Sequence, residues 1–251
     1  MVRSERSRLG LSENSEKRKL YPSVFIHYLA GKGEKEFDIY KNPAMYDSGA
    51  QGRVYKRDNL ARGVADVVEL ASNNPKSTSV LEIGAGTGFL SLELMRRGFE
   101  VTALDLFHEP LRWLKKKEQM ENQQSPIEAV QADMNKSLPF ADGSFNTVTS
   151  LRATRFIKDF DAWLSEAHRV LEPGGVFVLP VFLIDFIPWK RHSNMGLSQE
   201  TSFNGVVSHM KGVGFSIDRD LSRKYSDLVD TKTNERKVPW YYKPKFAVGR
   251  K

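Results

Sequence analysis

The stretch "VLEIGAGTGFLSLEL" (residues 80–94) decides the fold. An apolar run broken only by Glu82 leads into Gly84, Gly86 and Gly88, and a helical pattern follows. Glycines there let the main chain turn tightly into the helix and leave it bare enough to approach a ligand. A Walker A loop would need a Lys followed by Ser or Thr, and neither is present. The dinucleotide fingerprint G-x-G-x-x-G also fails, because its third glycine would fall at Phe89.

Outward from this turn the chain alternates. Residues 79–83 predict a strand, Gly88 to Arg97 a helix, and 100–106 a second strand. A helix opening at Pro110 follows, then strands over 127–133 and 144–151. Phe160, Trp163, Leu164, Ala167, Val170 and Leu171 share a helical face, and "PGG" (173–175) turns the chain into a fifth strand. Upstream, Leu60, Val64, Val67, Val68 and Ala71 mark another amphipathic helix. Downstream, a helix over 199–211 precedes "GFSIDRDLSRKY" and "VPWYYKPKFAVGR", read as two antiparallel strands. The expectation is an α/β, Rossmann-like, seven-stranded, mostly parallel sheet with helices on both faces and an antiparallel pair at the C-terminal end.

Three acids sit at the expected tips of neighbouring strands: Glu82, Asp105 and Asp133. Asp105 lies 21 residues after Gly84, where an acid can accept ribose hydroxyls. Asp133 could accept from an adenine amino group. Glu82 would repel a pyrophosphate and suits a cation. The ligand that fits has an adenosine half and a positively charged half, which describes S-adenosylmethionine. The alternative for the two aspartates is a helix cap or a solvated turn, and for Glu82 a role in organising the turn.

On "VLEIGAGTG", Asp105, Asp133 with "LPFADGSFNTV", and "EAHRVLEPGGVFVL", the chain resembles the class I S-adenosylmethionine-dependent methyltransferases. It is most similar to the ubiquinone/menaquinone-biosynthesis-type branch (methyltransferase domain 11), over about residues 78–183. The resemblance implies a cofactor site of Glu82, Gly84, Ala85, Gly86, Gly88 and Asp105. It adds Leu106 and Met134 beside the adenine, Asp133 and Leu151, and no metal. Asn146 stands where the family often has Asp, and Arg152 and Arg155 stand where small, histidine or aromatic residues are common.

Methyl transfer from a sulfonium requires alignment more than acid–base chemistry. Catalytic candidates are therefore few. His192, in the loop "IDFIPWKRHSN", is a candidate base, with a surface histidine as the alternative. Arg155 could bind an anionic acceptor, or pair with Asp159 four residues on. Tyr46 could belong to a lid, or simply pack.

Composition limits the acceptor. With no cysteine among 251 residues, thiolate metal sites and covalent C5-methylation of a base are excluded. "SLRA" replaces the N/D-P-P-Y/F motif of many amino methyltransferases. A small-molecule O, N or C acceptor is expected. An RNA or protein acceptor is the alternative, supported by the net charge of +7, which gathers in residues 1–20 and 219–251. A non-catalytic S-adenosylmethionine-binding protein is a further alternative, motivated by the two arginines. Residues 1–20 read as a flexible basic arm and 21–251 as one domain. Within that domain, 21–75 form an N-terminal helical lid segment, 76–183 the cofactor core, and 184–251 the acceptor loop and last strands. The first residues are too polar for a secretory signal, and Val176 to Ile184 is too short to span a membrane, so a cytoplasmic protein is expected.

Overall fold

The computed structural model describes residues 42–48, 60–72, 78–121, 126–181, 203–222 and 245–251. Its strands are β1 (Ser79–Ile83), β2 (Glu100–Asp105), β3 (Glu128–Gln131), β4 (Phe145–Thr149), β5 (Leu171–Val181), β6 (Ser216–Ile217) and β7 (Lys245–Arg250). Its helices are α1 (Pro43–Ser48), α2 (Leu60–Ser72), α3 (Phe89–Arg96), α4 (His108–Gln119), α5 (Phe160–Val170) and α6 (Phe203–Val213), with a 3₁₀ turn at Thr154–Phe156.

All seven strands form one sheet in the order β3-β2-β1-β4-β5-β7-β6. The first five are parallel, and β7 lies antiparallel between β5 and β6. The chain runs outward from β1 to β3, then returns to the other side of β1 as β4. That reversal opens a crevice beyond the C-terminal ends of β1 and β4, the usual ligand position in open α/β sheets.

Strand residues alternate between two apolar cores. Val80, Val101, Ala103, Val176, Val178, Phe246 and Val248 face α2, α3 and α4. Leu81, Ile83, Leu104, Phe177, Leu179 and Ala247 face α5 and α6. Burial of such side chains contributes about 1.5–3 kcal/mol each and fixes the register, since a one-residue slip would exchange the two faces. Glu82 falls on the first face, with Val80, and so points among α3 side chains.

Several boundaries differ from the sequence expectation. The third strand stops at Gln131, so Asp133 lies in the turn beyond it. As the sheet edge, β3 is mostly exposed and has little apolar run to extend it. The α4 helix starts at His108, two residues before Pro110, which sits within its first turn. The "PGG" segment lies inside β5, where the pairing with β4 shifts register between Phe145 and Thr147. Among its described residues, the "GFSIDRDLSRKY" segment supplies a single two-residue strand, β6.

Two of the sequence blocks behind the family resemblance meet in the structure. Arg169 of "EAHRVL" donates to the Phe140 carbonyl (2.8 Å), the Leu138 carbonyl (3.1 Å) and Asp142 Oδ1 (2.8 Å) of "LPFADG". Glu166 accepts from the Leu138 N–H at 2.6 Å and from Arg169 Nε and Nη2 at 2.8 Å each. These residues clamp a loop to α5. Asn146 is also structural. Its Oδ1 accepts from Ser79 N (2.9 Å) and Ser79 Oγ (3.0 Å) at the start of β1, the end of the sheet opposite the crevice.

Candidate cofactor site

The turn after β1 is built by backbone bonds to β2. Gly84 N and Ala85 N both donate to the Leu104 carbonyl, at 2.8 and 2.9 Å, and Gly88 N donates to the Ala85 carbonyl at 2.9 Å. Gly84, Gly86 and Gly88 have φ of 77°, 55° and 80°, a region that side chains disfavour. Beyond φ, the three glycines have different reasons to be bare. A Cβ on Gly84 would lie 2.3 Å from Ala153 Cβ, so this glycine lets the turn touch the loop after β4. A Cβ on Gly88 would lie 2.2 Å from Leu114 Cδ1, so this one lets α4 pack. A Cβ on Gly86 would meet nothing within 4 Å. Of the three, Gly86 is the one whose bareness faces open space.

Two buried carboxylates stand at this turn. Asp105 ends β2; its Oδ2 accepts from Gly86 N at 2.7 Å and its Oδ1 from Phe107 N at 3.0 Å. Each oxygen keeps a lone pair for a further donor such as a ribose hydroxyl. Burial raises its pKa, and the N–H groups of Phe107, Gly86 and Leu106 oppose that rise. Glu82 is 2% exposed and accepts from Ser91 Oγ on α3. Burial pushes its pKa up to about 8, against hydrogen bonds from Ser91, and the nearby Asp105 charge adds to the rise. This rim resists more negative charge and gains from a cation.

The adenine-side candidates line the same end of the sheet. Leu106, next to Asp105, is 46% exposed, unusual for a large apolar side chain beside a buried acid. Met134 is half-buried against the second core, and Leu151 is buried in the first. Asp133 Oδ1 accepts from Asn135 N at 3.0 Å. Asn135 Nδ2 then donates to the Phe156 carbonyl (3.1 Å), and its Oδ1 accepts from Lys158 N (2.7 Å). Asp133 and Asn135 thereby tie the turn after β3 to the 3₁₀ turn after β4. Asn135 was missed in the sequence reading, although D-x-N is the spacing of a side-chain-closed turn.

The catalytic candidates stand differently. Tyr46 is buried within the first core. Arg155 belongs to the 3₁₀ turn, but its side chain lies outside the described residues, as does all of His192. Asp159, the suggested partner of Arg155, caps α5 by accepting from Ala162 N at 3.0 Å. Arg152, three residues after β4, is 4% exposed and is the only described non-glycine with positive φ, at 62°.

Asp47 on α1 is another residue that sequence reasoning missed. Its carboxylate accepts from Thr87 Oγ1 at 2.6 Å, Trp113 Nε1 at 2.8 Å and Lys117 Nζ at 2.8 Å.

Several basic side chains among the described residues face carboxylates rather than gathering into a patch. Arg97 meets Asp66 and Glu69 at 2.8 Å each, Arg112 meets Glu109 at 2.7 Å, and Arg169 meets Glu166 at 2.8 Å. The described residues therefore give no support to a nucleic-acid partner; most of the two basic ends lies outside them. No described helix is long and apolar enough to cross a membrane.

Residues 81–179 match the methyltransferase domain family. The chain is 32% identical over 166 residues to a malonyl-[acyl-carrier protein] O-methyltransferase of Pseudescherichia vulneris, covering 62% of this chain and 60% of that protein. It is 35% identical over 102 residues to a ubiquinone/menaquinone biosynthesis C-methyltransferase of Bartonella bacilliformis, covering 39% of each. The chain thus spans well under two thirds of the length of these curated relatives. Among solved structures, a putative sarcosine dimethylglycine methyltransferase from Galdieria sulphuraria superposes with a TM-score of 0.55. Identity there is 16%, and the match covers 76% of this chain and 83% of that one, a likeness of fold. The strand order, the glycine turn with its carboxylates and the sequence match agree: residues 81–179 are similar to a methyltransferase domain, set on the fold of the S-adenosylmethionine-dependent methyltransferases.

Proposed function

We propose that the protein binds S-adenosylmethionine at the Gly84–Gly88 turn and transfers its methyl group to the O, N or C atom of a small organic acceptor. The observation that carries this reading is a pair of buried carboxylates at the turn: Asp105, which holds the N–H of the open Gly86 backbone, and Glu82, two residues before Gly84. A nucleoside bearing a positive sulfur answers each feature. Asp105 has lone pairs for ribose hydroxyls, Leu106 offers an exposed apolar surface for the base, and the acid rim favours the cation. Glu82 acts through the turn, holding its electrostatics and, by way of Ser91, the start of α3.

When bound, the cofactor supplies an electrophilic methyl group. The protein's part is to fix the acceptor in line with that methyl and keep water out, which together can lower the barrier by roughly 7–11 kcal/mol. The relatives' names describe both an O- and a C-methyltransferase, which supports a small organic acceptor and leaves the atom open. The crevice beyond the C-terminal ends of β1 and β4 is the acceptor's place.

Calorimetry with S-adenosylmethionine, S-adenosylhomocysteine and NAD tests the cofactor. Saturable binding of the two adenosyl compounds and none of NAD is expected. Binding of NAD alone would overturn the reading. Label transfer from methyl-labelled cofactor into a metabolite extract, set against total RNA, tests the acceptor class.

A further inference from the structure

The glycine turn is gripped from two sides. Asp105, from β2, holds the Gly86 N–H. Asp47, from α1, holds the hydroxyl of the next residue, Thr87. The second grip reaches further: Asp47 Oδ2 also accepts from Trp113 and Lys117, which lie four residues apart on one face of α4. Leu114 of the same helix packs where Gly88 is bare. Lys117 Nζ sits 4.6 Å from the ring centroid of Phe89, the first residue of α3. One carboxylate thus meets the turn and α4 from α1, with Lys117 extending the contact to α3.

The arrangement is buried. Thr87 is 2% exposed, and the side chains of Asp47 and Lys117 are 9% and 18% exposed. A buried ion pair gives little net stability over an apolar contact of the same size, because desolvation cancels most of the attraction. Its worth lies in directed bonds. Here the directions fix a turn with three positive-φ glycines, whose conformational freedom would otherwise cost cofactor affinity.

We infer that Asp47 is a positioning residue for the cofactor: acting through Thr87, it holds the Gly86–Thr87 segment in its binding conformation and locks α1 against the turn. The inference rests on the cofactor reading above, and its test separates the two.

S-adenosylhomocysteine is titrated into the full chain, Asp47→Asn, Thr87→Val and the double variant, and each is melted without ligand. Asp47→Asn keeps the shape but cannot accept all three donors. The full chain binds, and each single variant weakens binding about tenfold, chiefly through faster dissociation. The double variant is no weaker than Asp47→Asn alone, because both changes break one link. A merely structural role would lower the melting temperature and leave affinity unmoved. No binding by the full chain removes the cofactor reading and this inference with it. Binding by the full chain with Asp47→Asn unchanged, or with effects that add in the double variant, overturns the inference alone. If Asp47→Asn does not fold, Thr87→Val decides, since it leaves the Trp113 and Lys117 bonds in place; unchanged affinity there overturns the inference.

Discussion

Glu82 at the crevice and Glu166 on α5 are the same side chain in opposite conditions. Glu166 takes hydrogen bonds from Arg169, the Leu138 N–H and Ser137, and the Arg169 guanidinium foremost pulls its pKa down to about 2. Glu82 takes its described donors from Ser91 alone, and burial pushes its pKa up to about 8. The first carboxylate is saturated and joins two pieces of chain. The second is buried beside Asp105 with no counter-charge among the described residues, the condition that a cation would relieve. A perturbed acid of the second kind is a candidate for function; one of the first kind, held by a cation and an N–H, serves construction.

The widest consequence concerns pH. Below about 4.5 Glu82 is protonated in both folded and unfolded chains. Between 4.5 and 8 the folded chain keeps a proton that the unfolded chain has lost. Its contribution to stability is therefore full in acid and declines as pH rises, by up to about 1.4 kcal/mol per unit and on the order of 5 kcal/mol across the window. Glu82→Gln should remove that decline, so the variant should melt above the parent protein at pH 8 without ligand. Equal melting of the two across pH 5–8 would erase the contrast between the glutamates. Glu166 should act on the other limb. Its depressed pKa gives stability that is present above about 4.5 and lost as pH falls toward 2.

The glycines sharpen the same contrast within one turn. Gly88→Ala places a methyl against Leu114 at φ 80° and should cost about 3 kcal/mol in denaturant titration. Arg169→Met should cost about 2 kcal/mol, with S-adenosylhomocysteine affinity unchanged, because the clamp lies away from the crevice. Gly86→Ala should cost only about 1 kcal/mol, since its Cβ meets open space, yet it should weaken cofactor binding more than Arg169→Met does. A reversed order of affinity losses would mean that the open side of the turn is not the ligand side.

The parts legible in the sequence were those with a local period. The bounds of β1, the inward faces of α2 and α5, and the acid at the end of β2 follow from patterns a few residues long. The β3 boundary was not legible, because an exposed edge strand has no apolar rhythm, and the expected strand ran past Gln131 to Asp133. The register shift between β4 and β5 falls where Asn146 donates to Glu172 across the strands, a meeting that spacing alone does not reveal. Asp47 was invisible for the same reason. Its three partners lie 40, 66 and 70 residues away, so only the folded chain shows what that carboxylate does.

The central claim is that the rim formed by Asp105, Glu82 and the bare Gly86 backbone receives S-adenosylmethionine. It is tested most directly by titrating S-adenosylhomocysteine into Asp105→Ala beside the unaltered chain, with circular dichroism as the check on folding. The account predicts one-to-one binding by the unaltered chain and a loss of at least about a hundredfold in a variant that is still folded. A folded Asp105→Ala that binds as tightly as the unaltered chain would contradict it.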